Sequence, residues 1–228
     1  MNYQQIISKI KSLYNPKNIA GMKRFGINVK NAYGVPIPEL RKIGRLVKKD
    51  HEIAKQLWNS GIHEARILAS IVDDPKQITS KQMDDWVKEF NSWDICDQCC
   101  MNLFSETEIG YNKAIDWAKR KEEFEKRAGF ALMAVIAVHN KKLPDKELIK
   151  FFPIIKREST DERNFVRKAV NWALRQIGKR NMALNREAVK LSKELKDSQN
   201  KSACWIGTDA YRELTNPKVV ERIKNKKR

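Results

Sequence analysis

Asn164-Phe165-Val166-Arg167-Lys168-Ala169-Val170-Asn171-Trp172-Ala173-Leu174-Arg175-Gln176-Ile177-Gly178 separates into two faces when wound at about 100° per residue. Phe165, Val166, Ala169, Val170, Ala173, Leu174 and Ile177 gather on one side and read as core. Arg167, Lys168, Asn171 and Arg175 gather on the other, with Trp172 at the seam beside Lys168 and Arg175. The segment predicts an amphipathic helix, and it belongs to a series. Related apolar segments occupy 62–72, 92–104, 122–140, 162–178 and 200–214, with starts 30–40 residues apart. Further amphipathic stretches lie between them at 81–90, 109–118, 145–155 and 184–195.

No stretch alternates as a half-buried strand would. Pro16, Pro36, Pro38, Pro75, Pro144 and Pro217 read as helix boundaries, whereas Pro153 has no obvious place. A helix pair recurring at this interval is the signature of an α-solenoid built from HEAT-like or armadillo-like repeats. The expected fold is therefore all-α, with the second helix of each pair lining a concave basic groove. Small residues recur without any motif being copied, so an irregular helical bundle is the alternative. One helical domain is expected over 1–220, with a basic tail over 221–228. Five of the seven residues Arg222–Arg228 are basic, which suits a disordered arm adding non-specific phosphate affinity.

The 228 residues carry 46 Lys+Arg against 28 Asp+Glu, a formal net charge of +18. Self-repulsion on that scale points to a polyanionic partner, nucleic acid first and an anionic membrane surface second. The longest unbroken apolar run, 128–138, has 11 residues, short of the roughly 18 that a membrane span needs. The first residues show no basic-then-apolar secretion pattern. The four cysteines lack a disulfide-framework spacing, so a reducing compartment, the cytoplasm, is expected.

Within this basic chain, Ser92-Trp93-Asp94-Ile95-Cys96-Asp97 places an indole and a carboxylate one helical turn apart. On a helix over 93–104, Ile95, Cys96, Cys99, Cys100, Leu103 and Phe104 form an apolar stripe. Trp93 and Asp97 stand together at its edge. Helix capping accounts for Ser92 as N-cap and for Asp94 in the first turn. It leaves Asp97 without a role, because Asp97 borders the core rather than facing away from it. Arg127 heads a line of small residues, Ala131, Ala134 and Val138, on a helix that is apolar nearly all round. Either it holds something that approaches that line, or it reaches solvent or pairs with Glu123. On 164–178, cations interleaved with Trp172 suit a sugar-phosphate backbone; a solvated helix face is the plainer alternative. Cys96-Asp97-Gln98-Cys99 has a CxxC spacing but no second half, so these thiols are expected in the core, with no metal or cofactor. With only His51, His63 and His139, histidine acid–base catalysis is not expected.

Ser-Trp-Asp-x-x-Asp on one helix, Lys126-Arg127-Ala128 on a buried one and Lys168-Ala169-Val170-Asn171-Trp172-Ala173-Leu174-Arg175 on the next resemble a known group. The chain is similar to the HEAT-like-repeat DNA alkylation repair glycosylases, the AlkD family, over about residues 5–215. The resemblance implies excision of N3- and N7-alkylated purines from duplex DNA without swinging the base into a deep pocket. It implies Asp97 as the catalytic acid and Arg127 as the arginine holding a nearby phosphate. Trp93 and Trp172 would be the tryptophans packed on the deoxyribose backbone at the lesion, with Lys126, Arg167, Lys168, Asn171 and Arg175 on the DNA-binding side. A monomer is expected. Two differences stand out: a single Trp93 follows Asn91-Ser92 where those enzymes carry a tandem Trp-Trp, and Phe25 takes the place of a DNA-contacting tyrosine. The alternatives are a non-catalytic repeat protein binding damaged or branched DNA, and a helical scaffold for RNA or an acidic protein.

Overall fold

Short polar side chains open many of the helices. Asn2, Asn15, Asp50, Thr79, Asn181, Asn200 and Asn216 each accept a hydrogen bond from a backbone N–H of the turn they start. The computed structural model describes residues 1–225 and is all-helical, with no strand among the described residues. Two compact units divide the chain, Met1–Glu108 and Ile109–Arg228. Among the described residues, no helix is long and apolar enough to cross a membrane.

The first unit contains α1 (Tyr3–Ser12), α2 (Pro16–Arg24), α3 (Ile37–Val47), α4 (His51–Asn59), α5 (His63–Val72), α6 (Ser80–Lys88), α7 (Trp93–Asn102) and a 3-10 turn, Phe104–Glu106. Helix α5 is its centre, packed against α3, α4 and α7. An aromatic cluster fills the core: Trp58 and Trp86 stack at 4.1 Å between centroids, and Phe90 and Phe104 pack beside them.

The second unit contains α8 (Gly110–Trp117), α9 (Glu123–His139), α10 (Asp145–Ile149), α11 (Phe151–Glu158), α12 (Asn164–Gly178), α13 (Met182–Lys196), α14 (Lys201–Leu214) and α15 (Pro217–Lys224). Helix α9 is buried from Arg127 to Ala137, as its all-round apolar sequence requires, with α8 and α12 packed against it. Gly129 lets α8 approach closely: a Cβ there would lie 2.4 Å from the Ala118 nitrogen. Gly129→Ala is expected to cost about 1–3 kcal/mol through forced separation of the two helices. A urea midpoint equal to that of the unsubstituted protein would disprove the close contact.

The stretch 145–155 is two helices rather than one, and Pro153 explains the break. A proline ring clashes with the carbonyl four residues back, here Ile149, where α10 ends. Pro153 itself sits in the first turn of α11, where no intrahelical bond is lost. Helix α15 covers 217–224, which includes the first part of the expected basic tail, and 226–228 lie outside the described residues.

Polar contacts between segments one repeat apart report the repeat directly. In the first unit, Tyr33 pairs with Glu64, Trp58 with Glu89 and His63 with Asp94, each 31 residues apart. In the second, Arg127 pairs with Phe165, Asn171 with Asp209 and Arg175 with Glu213, each 38 residues apart. One residue bonding its counterpart one repeat later is what stacked repeats produce.

Candidate functional site

Helix α7 carries Trp93 and Asp97 on adjacent turns of the first unit. Asp97 is only 9 % exposed, so a carboxylate stands at the border of the cysteine-rich core, as its helical position predicts. The Trp93 indole N–H donates to the Phe25 carbonyl at 3.0 Å, which fixes the ring's orientation. Phe25 itself is 73 % exposed, so the side chain that replaces the expected tyrosine is presented to solvent. Cys96, Cys99 and Cys100 are fully buried, and burial holds the Cys99 thiol well above its usual range.

Asp94 stands in the first turn of α7 as expected, whereas Ser92 differs from the capping account. Ser92 occupies the N-cap position with extended backbone, yet its hydroxyl makes no capping bond and hydrogen-bonds the Asp94 carboxylate instead. Asp94 accepts from the Ile95 N–H at 3.0 Å and meets His63 Nε2 at 2.9 Å. Burial pushes the Asp94 carboxyl up, but bonds from His63, Ser92 and Ile95 outweigh it and hold the acid below its ordinary range. The His63–Asp94 pair joins residues of two repeats, and a reading confined to single helices does not find it.

In the second unit Arg127 is 6 % exposed and donates from Nη1 to the Phe165 carbonyl at 2.7 Å, so it does not reach out to solvent. It ties α9 to the start of α12. Its neighbour Lys126 pairs with Glu158 at 2.5 Å and with Asp161 at 3.4 Å.

Helix α12 presents the basic face in altered form. Lys168 is exposed and Trp172 half-buried, as the periodicity predicts. Asn171 is 2 % exposed rather than on the open face, because α14 packs there and Asp209 accepts its amide at 2.7 Å. Arg175 pairs with Glu213 at 2.6 Å, with Asp209 at 3.6 Å from the same guanidinium. Burial raises the Glu213 carboxyl, but Lys179 and Arg175 outweigh it and hold it below the usual range. Arg167 lies over the ring of Trp205, 4.6 Å from its centroid. Trp205 is 37 % exposed on α14, and sequence reasoning did not single it out. Its signal was available: it stands opposite the apolar stripe of Ala203, Ile206 and Ala210.

Among known proteins, the chain is 23% identical over 199 residues to the uncharacterized protein Lin0241 of Listeria innocua, covering 86% of this chain and 87% of that one. It is 24% identical over 153 residues to the uncharacterized protein Lmo0209 of Listeria monocytogenes, covering 65% and 67%. A solved structure described as a new family of proteins related to the HEAT-like repeat DNA glycosylases, with affinity for branched DNA structures, superposes with a TM-score of 0.78. Its sequence is 18% identical, and the match covers 93% of this chain and 95% of that chain. The fold is thus that of the HEAT-like repeat proteins. The model of the DNA alkylation repair enzymes matches residues 6–212, and the chain belongs to that family.

Proposed function

We propose that this protein is a monofunctional DNA glycosylase that excises cationic N3- and N7-alkylated purines from duplex DNA, acting as a cytoplasmic monomer in base excision repair. The observation that carries the reading is Asp97, a carboxylate one turn from Trp93 at the core border of a chain with net charge +18. An acid in such a chain repels phosphates, so its use lies with a cation.

An alkylated purine supplies one. As the N-glycosidic bond breaks, the bonding pair goes to the base, which leaves neutral, and positive charge passes to the sugar. The Asp97 carboxylate stabilises that oxocarbenium-like sugar and positions the water whose oxygen bonds C1′. The water's proton passes to the carboxylate and then to solvent. No strong general acid is needed, because the base already carries its charge. Trp93 adds about 0.5–2 kcal/mol by facing the cationic sugar, and Trp172 is assigned to the deoxyribose backbone. Arg127, held by the Phe165 carbonyl, is assigned to a phosphate near the lesion, and no metal or cofactor takes part.

Lys168, Arg167 and Trp172 are assigned the leading contacts to the DNA backbone. Arg175, Asn171 and Lys126 join them only by exchanging a carboxylate for a phosphate, since each has an acidic partner. Lys168→Gln is therefore expected to lower the salt dependence of duplex binding by about one counterion, and Lys126→Gln by less. Equal slopes for the two variants would contradict this division.

The deciding experiment is incubation with methylated duplex DNA and measurement of released 7-methylguanine and 3-methyladenine. Duplex binding without release rejects the glycosylase reading. A second reading then stands, a non-catalytic protein binding damaged or branched DNA, supported by the affinity for branched DNA named for the structurally similar protein. On that reading Asp97→Ala leaves affinity unchanged or raises it.

A further inference from the structure

We propose that a small cavity in the first unit is a binding site for one oxyanion of phosphate type, with His63 as its buried donor. The cavity has a volume of about 60 Å³ and is lined by Asn28, Lys30, Asn31, His63, Arg66 and Asn91. At roughly 10–15 Å³ for each water-sized position, it holds about four to six such positions, enough for the oxygens of a tetrahedral anion.

His63 is 4 % exposed, and its Nδ1 is buried with no hydrogen-bond partner. A buried polar atom left this way is costly unless a ligand or water meets it. Its other nitrogen, Nε2, faces the Asp94 carboxylate at 2.9 Å and so carries a proton. In the imidazolium form Nδ1–H is a donor, and an anion at that atom places the ring between two negative charges. The Asp94 carboxylate is itself fixed by Ser92 and by the Ile95 N–H.

The surroundings favour an anion over a cation. Helix α5 begins at His63 and α7 at Trp93, and neither has a side-chain capping bond at its N-terminus. The α5 dipole therefore presents its positive end beside the cavity, while at α7 the Asp94 carboxylate takes the Ile95 N–H. Lys30 is exposed, and its ammonium has no hydrogen bond or ion pair among the described residues. Arg66 forms a second cationic wall, held over the Trp58 ring and bonded to Glu89. The nearby acids are turned to other partners. Glu89 meets Arg66 and the Trp58 indole, Glu64 meets backbone N–H groups of Tyr33, Gly34 and Val35, and Asp94 meets His63 and Ser92. The amides of Asn28, Asn31 and Asn91 complete a neutral donor set.

Two sources carry this chemistry, a DNA backbone phosphodiester and a free phosphate-bearing molecule. Asn91 and Ile95, which both line the cavity, flank Trp93, so a backbone phosphate at this site would lie next to the proposed sugar contact. The site does not depend on base excision.

The test uses the full chain labelled with 15N and follows the imidazole nitrogens of His63 by long-range proton–nitrogen correlation. Inorganic phosphate is titrated in one arm and a short unmodified duplex in the other, with duplex binding followed separately by fluorescence anisotropy. The expected result is a shift of Nδ1 to the protonated range on binding. Lys30→Gln should weaken the response roughly tenfold with unchanged circular dichroism. A response to duplex, competed by inorganic phosphate, identifies the backbone as the source. A response to phosphate alone identifies a small phosphorylated ligand, and it can be read even if the chain binds no DNA. No response of His63 in either arm, with duplex bound, overturns the proposal and leaves a water-filled cavity.

Discussion

Asp97→Asn is expected to slow release of 7-methylguanine and 3-methyladenine from methylated duplex by about 10²–10³-fold, with duplex affinity unchanged or slightly higher. The magnitude is that of removing one preorganised charge aimed at a group whose charge develops in the transition state. The substitution keeps size and hydrogen-bonding capacity but removes the negative charge, so it tests electrostatics rather than packing. At 9 % exposure the side chain acts where solvent screening is weak, which makes the lost charge matter more than at an open surface. Binding moves the other way because the ground-state partner is a polyanion. A variant that loses activity and affinity together would point to collapse of α7 instead. A variant that retains full activity would remove Asp97 from the chemistry. Since only the transition state carries a full cationic sugar, the effect belongs in the single-turnover rate and not in the concentration needed for saturation.

The helical class and the repeat were legible because both rest on periodicity within short windows. Helix α12 begins and ends at the residues its amphipathic pattern marks, and α9 is buried as its apolar run requires. Helix α2 left a fainter trace: none of its residues is fully buried, and its apolar side is only Ile19 and Met22, both half-buried. The site was legible only in part, and the reason is the same geometry that builds the fold. Asn171 and Arg175 look solvent-facing on α12 alone, but their partners Asp209 and Glu213 lie one repeat later. Asp94 looks like a helix-dipole acid until His63, one repeat earlier, is placed beside it. Single-helix reading finds most of the apolar core, although Phe165, read as core, is only half-buried. It fails where a polar residue faces the next repeat, because that contact is set by stacking and has no signature within the helix.

Glu64→Ala has the largest expected effect on stability. Glu64 is 1 % exposed, and its carboxylate accepts from the Tyr33 N–H at 2.9 Å, the Gly34 N–H at 2.6 Å and the Val35 N–H at 3.2 Å. Gly34 has φ of +73°, a conformation that favours glycine, and the carboxylate holds the turn that requires it. Truncation leaves three backbone donors without their acceptor in a buried turn, at about 1–3 kcal/mol for each. The expected loss is therefore about 3–9 kcal/mol, a large share of the ~5–15 kcal/mol that stabilises a typical protein. Glu64→Gln keeps one acceptor oxygen but turns an amide donor toward the same N–H groups, so its loss should be intermediate. Urea denaturation followed by circular dichroism checks both variants. A loss under about 1 kcal/mol for Glu64→Ala would mean that water replaces the carboxylate and that the turn does not depend on it. The same turn continues from Asn31, whose carbonyl accepts the His63 N–H at 2.9 Å. Loosening it should also weaken phosphate binding at the His63 cavity, because Lys30 and Asn31 are carried on the released segment.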